Sequence, residues 1–260
     1  MSNQQSPPVV LVFSAHDPSG AAGIQADIES INRNGSRCIS VITALTTQNT
    51  EEFRSILPQN IVNFRNQTEL LMSDISANAC KLGLIGSALL VDSIADTLLN
   101  LDKKIPLIVD PILHSGTGAN LSNENIIEVI NRRLLPMTTI ITPNIKEAFQ
   151  LTGKSNKAAA ASDLIAKGCQ AVLITGTDQT SPRVINTLYL DGEKAIEYPW
   201  ERLPEIYHGS GCTLASAISA HVAQGKDIET AVQVAQEYTW HSLKHGIKLG
   251  KSQLHPNRNF

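Results

Sequence analysis

The chain has no run of lysines and arginines, and 21 basic against 24 acidic residues leave a formal net charge of only −3. Nucleic-acid binding needs a basic stripe to neutralise phosphates, so no such partner is expected. An anionic ligand must instead be met locally, by backbone N–H groups, a metal or a few side chains. Cysteine is scarce, and Cys38, Cys80, Cys169 and Cys212 stand far apart with no C-x-x-C pair. Neither a zinc knuckle nor a disulfide framework is suggested. No apolar run reaches membrane-span length, and the opening MSNQQSPPVVLVFSA lacks the basic segment and apolar length of a secretory signal. No membrane partner and a cytoplasmic location are therefore expected. Charged residues are few, 17% of 260, while 42% are apolar. That suffices for one large core, and a single domain over 1–260 is the economical expectation.

The stretch that organises the rest is Tyr207 to Ala223, YHGSGCTLASAISAHVA. Gly209, Ser210 and Gly211 suit a tight turn that brings backbone N–H groups close to something bulky. Thr213 to Ala223 reads as a helix ended by Gly225, rich in small residues and poor in polar ones, hence buried. A glycine turn opening such a helix aims free N–H groups and the positive end of the helix dipole at one point, as an anion site does. Cys212 falls in the first turn, where the dipole would lower a thiol pKa. The alternative is a plain turn with Cys212 as a small buried hydrophobe.

Taken in order, Val9 to Ser14 is a β-branched apolar run, the pattern of a strand covered on both faces. HDPSGAAG precedes a helix over Ala22 to Asn34, with Ile24, Ile28 and Ile31 on its buried face and Asp27 at the edge of it. A carboxylate there needs a partner, either a ligand or another part of the protein. Further strands are expected over Cys38 to Leu45, Ala79 to Ile85, Pro106 to Val109, Thr138 to Thr142 and Ala171 to Thr175. Helices are expected over Pro58 to Ser73, Ser87 to Asn100, Asn123 to Leu134, Lys157 to Lys167 and Asp227 to His245. Asp191-Gly192 marks a hairpin between Asn186 to Leu190 and Ala195 to Tyr198. This alternation predicts an α/β fold, a mostly parallel sheet with helices on both faces. Segments 115–121 and 176–184 are expected to be the mobile ones.

In such a fold the ligand rim lies at the strand C-termini. Thr46 to Asn49, Asp110 and the pair Asn144 and Glu147 gather there. Their oxygens suit Mg²⁺, which keeps several waters and bridges to phosphates. Asn144 and Glu147 equally suit a capping box. His241 and His245 lie one helical turn apart but lack a third ligand, and histidines in a last turn already favour the dipole. His16 sits beside the first glycine loop, which is a poor dinucleotide motif because GAAG is not G-x-G-x-x-G.

Together VFSAHDPSGAAGIQAD, SVITALTTQNT, VDP, LLPMTTIITPNIKEAFQLTG and HGSGCTLASAISAHVA resemble the hydroxymethylpyrimidine/phosphomethylpyrimidine kinases, a ribokinase-like family of the thiamine pathway. The resemblance runs through nearly the whole chain. It implies that Gly209, Ser210, Gly211 and Cys212 form the catalytic anion hole, with Cys212 where many relatives carry an aspartate. It implies ATP held near Asn144, Thr175 and Gly176, and Mg²⁺ organised by Asp110 and Glu147. Asp27 and Gln48, with Gly83 and Leu84, would meet the pyrimidine, and a homodimer is implied. Thr175 stands where the family usually has a lysine, and HSGTGAN replaces a second lysine-bearing stretch. Other expectations are a pyridoxal kinase of the same fold, a pyrimidine-binding protein without turnover, and a cysteine hydrolase using Cys212.

Overall fold

The computed structural model describes residues 6–114, 124–176 and 181–260. Its elements run β1 (Val9–His16), α1 (Gly23–Arg33), β2 (Arg37–Gln48), β3 (Phe53–Pro58), α2 (Ile61–Asp74), β4 (Ala79–Leu82), α3 (Ala88–Leu99) and β5 (Leu107–Val109). Then come α4 (Glu124–Val129), β6 (Ile140–Ile141), α5 (Ile145–Thr152), α6 (Lys157–Ala166), β7 (Ala171–Ile174), β8 (Arg183–Leu190), β9 (Ile196–Glu201), α7 (Ser210–Ala223) and α8 (Ile228–Lys244). Among the described residues one sheet takes the order β3-β2-β1-β4-β5-β6-β7-β8-β9. From β2 to β7 the pairing is parallel, and β3, β8 and β9 add antiparallel edges. The α/β expectation holds. Segment 115–121 and residues 177–180 of the segment 176–184 lie outside the described residues.

The central strands are apolar on both sides because both sides are covered. Leu11, Phe13, Leu82 and Val109 pack against α2 to α6 through Phe64, Leu90, Ile94, Leu151 and Leu164. Val10, Val12, Ile108 and Leu173 face the other way, onto α1, α7 and α8. Each such side chain contributes about 1.5–3 kcal/mol on burial. Lys81 interrupts this pattern: it sits on β4, fully buried, between Cys80 and Leu82.

Two elements differ from the sequence expectation. Residues 53–58 form a strand, and the helix starts only at Ile61, where the Asn60 side chain accepts from the Val62 and Asn63 N–H groups. The extra strand pairs antiparallel with the far half of β2, Ala44 opposite Pro58 and Gln48 opposite Phe53, which lengthens β2 to 12 residues. The helix expected over Asn123 to Leu134 is α4 followed by a π-helical turn over Ile130–Leu134. The chain order reverses between β1 and β4, the switch point where open parallel sheets form a crevice.

Candidate functional site

A cavity of about 490 Å³ opens at the C-terminal ends of the parallel strands. His16 and Asp17 reach it from the end of β1 and Gln48 from β2. Leu84 follows β4, Asp110 follows β5, Asn144 and Glu147 open α5, and Thr175 follows β7. Gly209, Ser210, Gly211 and Cys212 close it from the start of α7.

That turn exists because of one glycine. Gly209, the N-cap of α7, has φ of +87°, and a Cβ on it would lie 1.9 Å from the Ala21 carbonyl oxygen. Any other residue would be strained by its backbone and would collide with the first loop. No side chain caps the helix, and the first main-chain donor used within it is Thr213, whose N–H reaches the Gly209 carbonyl at 3.0 Å. The N–H groups ahead of it have no intrahelical acceptor and sit at the positive end of the dipole. Ser210 to Cys212 therefore present an anion-binding edge to the cavity.

Cys212 itself is not the poised thiolate that a helix start alone would give. Burial pushes its thiol up to about 12; Lys81 and the Gly23 N–H pull the other way, and the Asp110 and Asp27 charges add to the rise. The neighbouring Cys212 thiol in turn lowers the pKa of the Asp110 carboxyl. A cysteine hydrolase would need a base on Cys212, yet the nearby His208 Nε2 sits 3.0 Å from Asp17 Oδ2 instead. Asp110 is the acidic group tuned toward neutrality. Burial raises it to about 6; Lys81 and Cys212 lower it, and Asp27 adds to the rise.

Asp27 corrects the sequence expectation. It is completely buried and absent from the cavity wall, with Oδ1 2.9 Å from Lys81 Nζ and 2.7 Å from Ser216 Oγ. The face on which it stands has no open edge, because α1 packs on β1 and β2 and alongside α7. Its partner is the protein. Gly83 is likewise behind the wall, where an added Cβ would lie 2.5 Å from Ser14 Oγ and 2.8 Å from Lys81 Nζ. Gly176 does not line the cavity either: its N–H donates to Asn186 Oδ1 at 3.0 Å, and a Cβ would strike the Ile185 carbonyl at 2.3 Å. It serves the β7–β8 junction.

Gln48 does face the cavity. Its Nε2 donates to Thr46 Oγ1 at 2.9 Å, and that hydroxyl donates to the His16 carbonyl at 2.9 Å, which orients the amide. The capping box forms as well. Asn144 Oδ1 accepts from the Glu147 N–H and Glu147 Oε2 from the Asn144 N–H, both at 2.9 Å. His241 and His245 stack at 6.4 Å, and no group of three or more metal-ligating side chains occurs among the described residues. The residues nonetheless fit a hydrated Mg²⁺. Asp110 Oδ2 is buried without a hydrogen-bond partner, a hard oxygen at the cavity, and Glu147 lines the same cavity.

Several contributors lie outside the sequence expectations. Lys81, a lone lysine in the apolar strand ACKLGLI, is 2.9 Å from Asp27 and 4.0 Å from Asp110 Oδ2, so one buried ammonium serves two carboxylates. Its pKa is raised: burial lowers it, but Asp27, Cys212 and Asp110 outweigh that. A charge inside a strand buried on both faces was the available signal, since it demands a partner. Asp17 accepts from the Ser19 and Ala22 N–H groups at 2.9 Å each and so satisfies the first loop internally. Burial raises the Asp17 pKa, but His208 and Ser19 bring it down to about 2. At the far end of the cavity Trp200 stacks on Trp240 at 6.3 Å, and Gln236 Oε1 accepts from Asn186 Nδ2 at 2.8 Å and Trp200 Nε1 at 3.1 Å.

The sequence profile of the phosphomethylpyrimidine kinase family matches residues 17–257. A hydroxymethylpyrimidine/phosphomethylpyrimidine kinase of Streptomyces coelicolor is 35% identical over 254 residues, 94% of this chain and 92% of the relative. Among solved structures, phosphomethylpyrimidine kinase of Clostridium difficile matches at 30% identity with a TM-score of 0.77, over 90% of this chain and 98% of that one. Pyridoxal kinase of Staphylococcus aureus in complex with pyridoxal matches at 26% identity with a TM-score of 0.89, over 98% and 94%. The fold is ribokinase-like.

Proposed function

The chain belongs to the phosphomethylpyrimidine kinase family, and we propose that it transfers the γ-phosphoryl group of ATP to 4-amino-5-hydroxymethyl-2-methylpyrimidine and then to the monophosphate, giving the diphosphate for thiamine synthesis. The observation that carries this is the shared cavity. The uncapped start of α7 and the oriented amide of Gln48 open into one space, with Asp110 between them in chain order at the strand ends.

The polyanion is met by the Ser210 to Cys212 edge of α7, and its base lies toward Trp200 and Gln236, whose Nε2 is buried without a partner. Gln48 spends its Nε2 on Thr46, which leaves Oε1 to accept from the pyrimidine amine. Asp110 and Glu147 would hold Mg²⁺ and its waters, and the ion would supply neutralisation of phosphate charge. Phosphoryl transfer through a loose transition state asks mainly for positioning and charge stabilisation, and a Cys212 thiol that keeps its proton is compatible with that. Thr175 reaches the cavity where the family lysine is expected. The phosphate charge is then left to the helix edge and the metal.

We place this activity in a single domain acting in the cytoplasm, where four free cysteines suit a reducing compartment. A homodimer would cover the exposed Leu45 and Leu57, which pair across β2 and β3. Among the described residues no helix is long and apolar enough to cross a membrane. Labelled ATP offered with the hydroxymethylpyrimidine or with pyridoxal tests the reading. We expect monophosphate and then diphosphate from the pyrimidine, and slower label transfer to pyridoxal. Transfer to pyridoxal alone would establish the pyridoxal kinase, and binding without turnover would overturn the kinase assignment.

A further inference from the structure

We propose that Arg258 is a positioning residue that locks the first loop onto the phosphate-facing turn of α7, and that nucleotide affinity depends on this lock. The proposal rests on the assignment of nucleotide phosphates to the Ser210 to Cys212 edge. Arg258 lies far from that turn in sequence, yet its side chain is 1% exposed and wedged between three elements. Nε donates to Thr213 Oγ1 at 3.0 Å, in the first turn of α7. Nη2 donates to the Ala21 carbonyl, and Nη1 is 3.5 Å from the Gly20 carbonyl and 3.1 Å from Glu29 Oε2 on α1.

The geometry matters because loop and turn touch backbone to backbone at this point. The position of a Cβ on Gly209 would be 1.9 Å from the Ala21 oxygen and 3.0 Å from Arg258 Nη2. Thr213, held by Arg258, donates its own hydroxyl to the Gly209 carbonyl at 2.8 Å. On the other side of the contact, Cys212 packs against Ala22 of the loop and Ala26 of α1. The turn is thus fastened to the loop on two sides, by Cys212 and by the guanidinium. A planar fork can hold acceptors on separate elements at fixed angles, which the point charge of a lysine cannot. Arg258 is itself anchored, since its carbonyl accepts from Tyr238 Oη at 3.0 Å and the Asn257 N–H donates to the Ser242 carbonyl at 2.9 Å, both on α8. The clamp therefore ties α8, α1, the first loop and the start of α7 into one unit. It touches none of the residues that orient Gln48.

Arg258→Met tests this in two ways. With the full chain free of ligand, alkylation of Cys212 by iodoacetamide, followed by peptide mass mapping, is expected to run about tenfold faster than in the unaltered protein. In the kinase assay, KM for ATP is expected to rise about tenfold while KM for the pyrimidine moves less than about twofold. Arg258→Lys should recover part of both. A variant that melts earlier but keeps both the labelling rate and KM for ATP within about twofold would show a brace for stability only, and would overturn the proposal. If Arg258→Met does not fold, Arg258→Lys carries the same two measurements with the same decision. Should the protein prove not to be a kinase, the labelling of Cys212 in the ligand-free chain still decides whether Arg258 locks the turn.

Discussion

Cys212 carries a thiol pushed up to about 12, so at neutral pH it holds its proton. A general base contributes about 10²–10⁴ to the rate, and a thiol that stays protonated does not supply that. Cys212→Ala is therefore expected to lower kcat by less than about tenfold, and a loss of about 10³ would instead make the thiol a general base. Asp27 and Lys81 are a second case in which the surroundings decide the chemistry. Lys81→Met leaves the Asp27 carboxylate buried and unpaired and should destabilise the fold by about 3–5 kcal/mol in urea titration. Lys81→Met combined with Asp27→Asn removes both charges and should regain most of that loss. Asp27→Ala should weaken ATP and pyrimidine binding together, through the fold. A selective loss of pyrimidine binding would return Asp27 to the ligand.

At the scale of the element, α7 joins sequence to function most directly. Its small residues let it lie against β1, β4, β5, α1 and α8 at once, and Cys212 to Val222 are buried without interruption. Such a helix cannot shift to relieve a change at its start. Gly209→Ala must therefore absorb both the positive φ and the Ala21 carbonyl at 1.9 Å, which is backbone and cannot swing aside. The expected outcome is a loss of stability of at least about 1–3 kcal/mol and of measurable ATP binding, with pyrimidine binding retained in whatever fraction folds. Calorimetric titration with each ligand separates the two. Equal affinity for ATP in Gly209→Ala and the parent would remove the phosphate role from this turn.

For the whole molecule, two carboxylates in the cavity pull stability in opposite directions with pH. The folded pKa of Asp110, about 6, lies above its ordinary 3.8, so the folded state keeps a proton there that the unfolded chain has released. The stability from that proton is fully present below 3.8 and is lost as pH rises through about 6. Asp17, brought from 3.8 to about 2, contributes stability above 3.8 that is lost as pH falls toward 2. Asp110→Asn should therefore stabilise the fold by about 1–3 kcal/mol at pH 8 and much less at pH 4, while activity collapses. Unchanged melting at pH 8 would mean that Asp110 carries no strain.

Local signals fixed a great deal of this molecule. Short β-branched apolar runs bounded by turn residues read as strands covered on both faces, Asp191-Gly192 marks a turn, and Gly209 to Cys212 announced an uncapped helix start; these are interactions within a few residues of chain. The strand over Phe53–Pro58 was hidden because its stabilisation comes from pairing with β2, and its own residues do not require it. The same limit applies at the site. Gln48, Asp110, Asn144, Glu147 and Thr175 stand at strand ends, which the alternation of elements already located, and all reach the cavity. Only the tertiary structure decided which charges meet. Asp27, 54 residues before Lys81 and 189 before Ser216, is neutralised inside the protein, and Arg258 closes on a loop 237 residues earlier. Burial of a charge is a property of everything packed around it, so no window of sequence contains its cause.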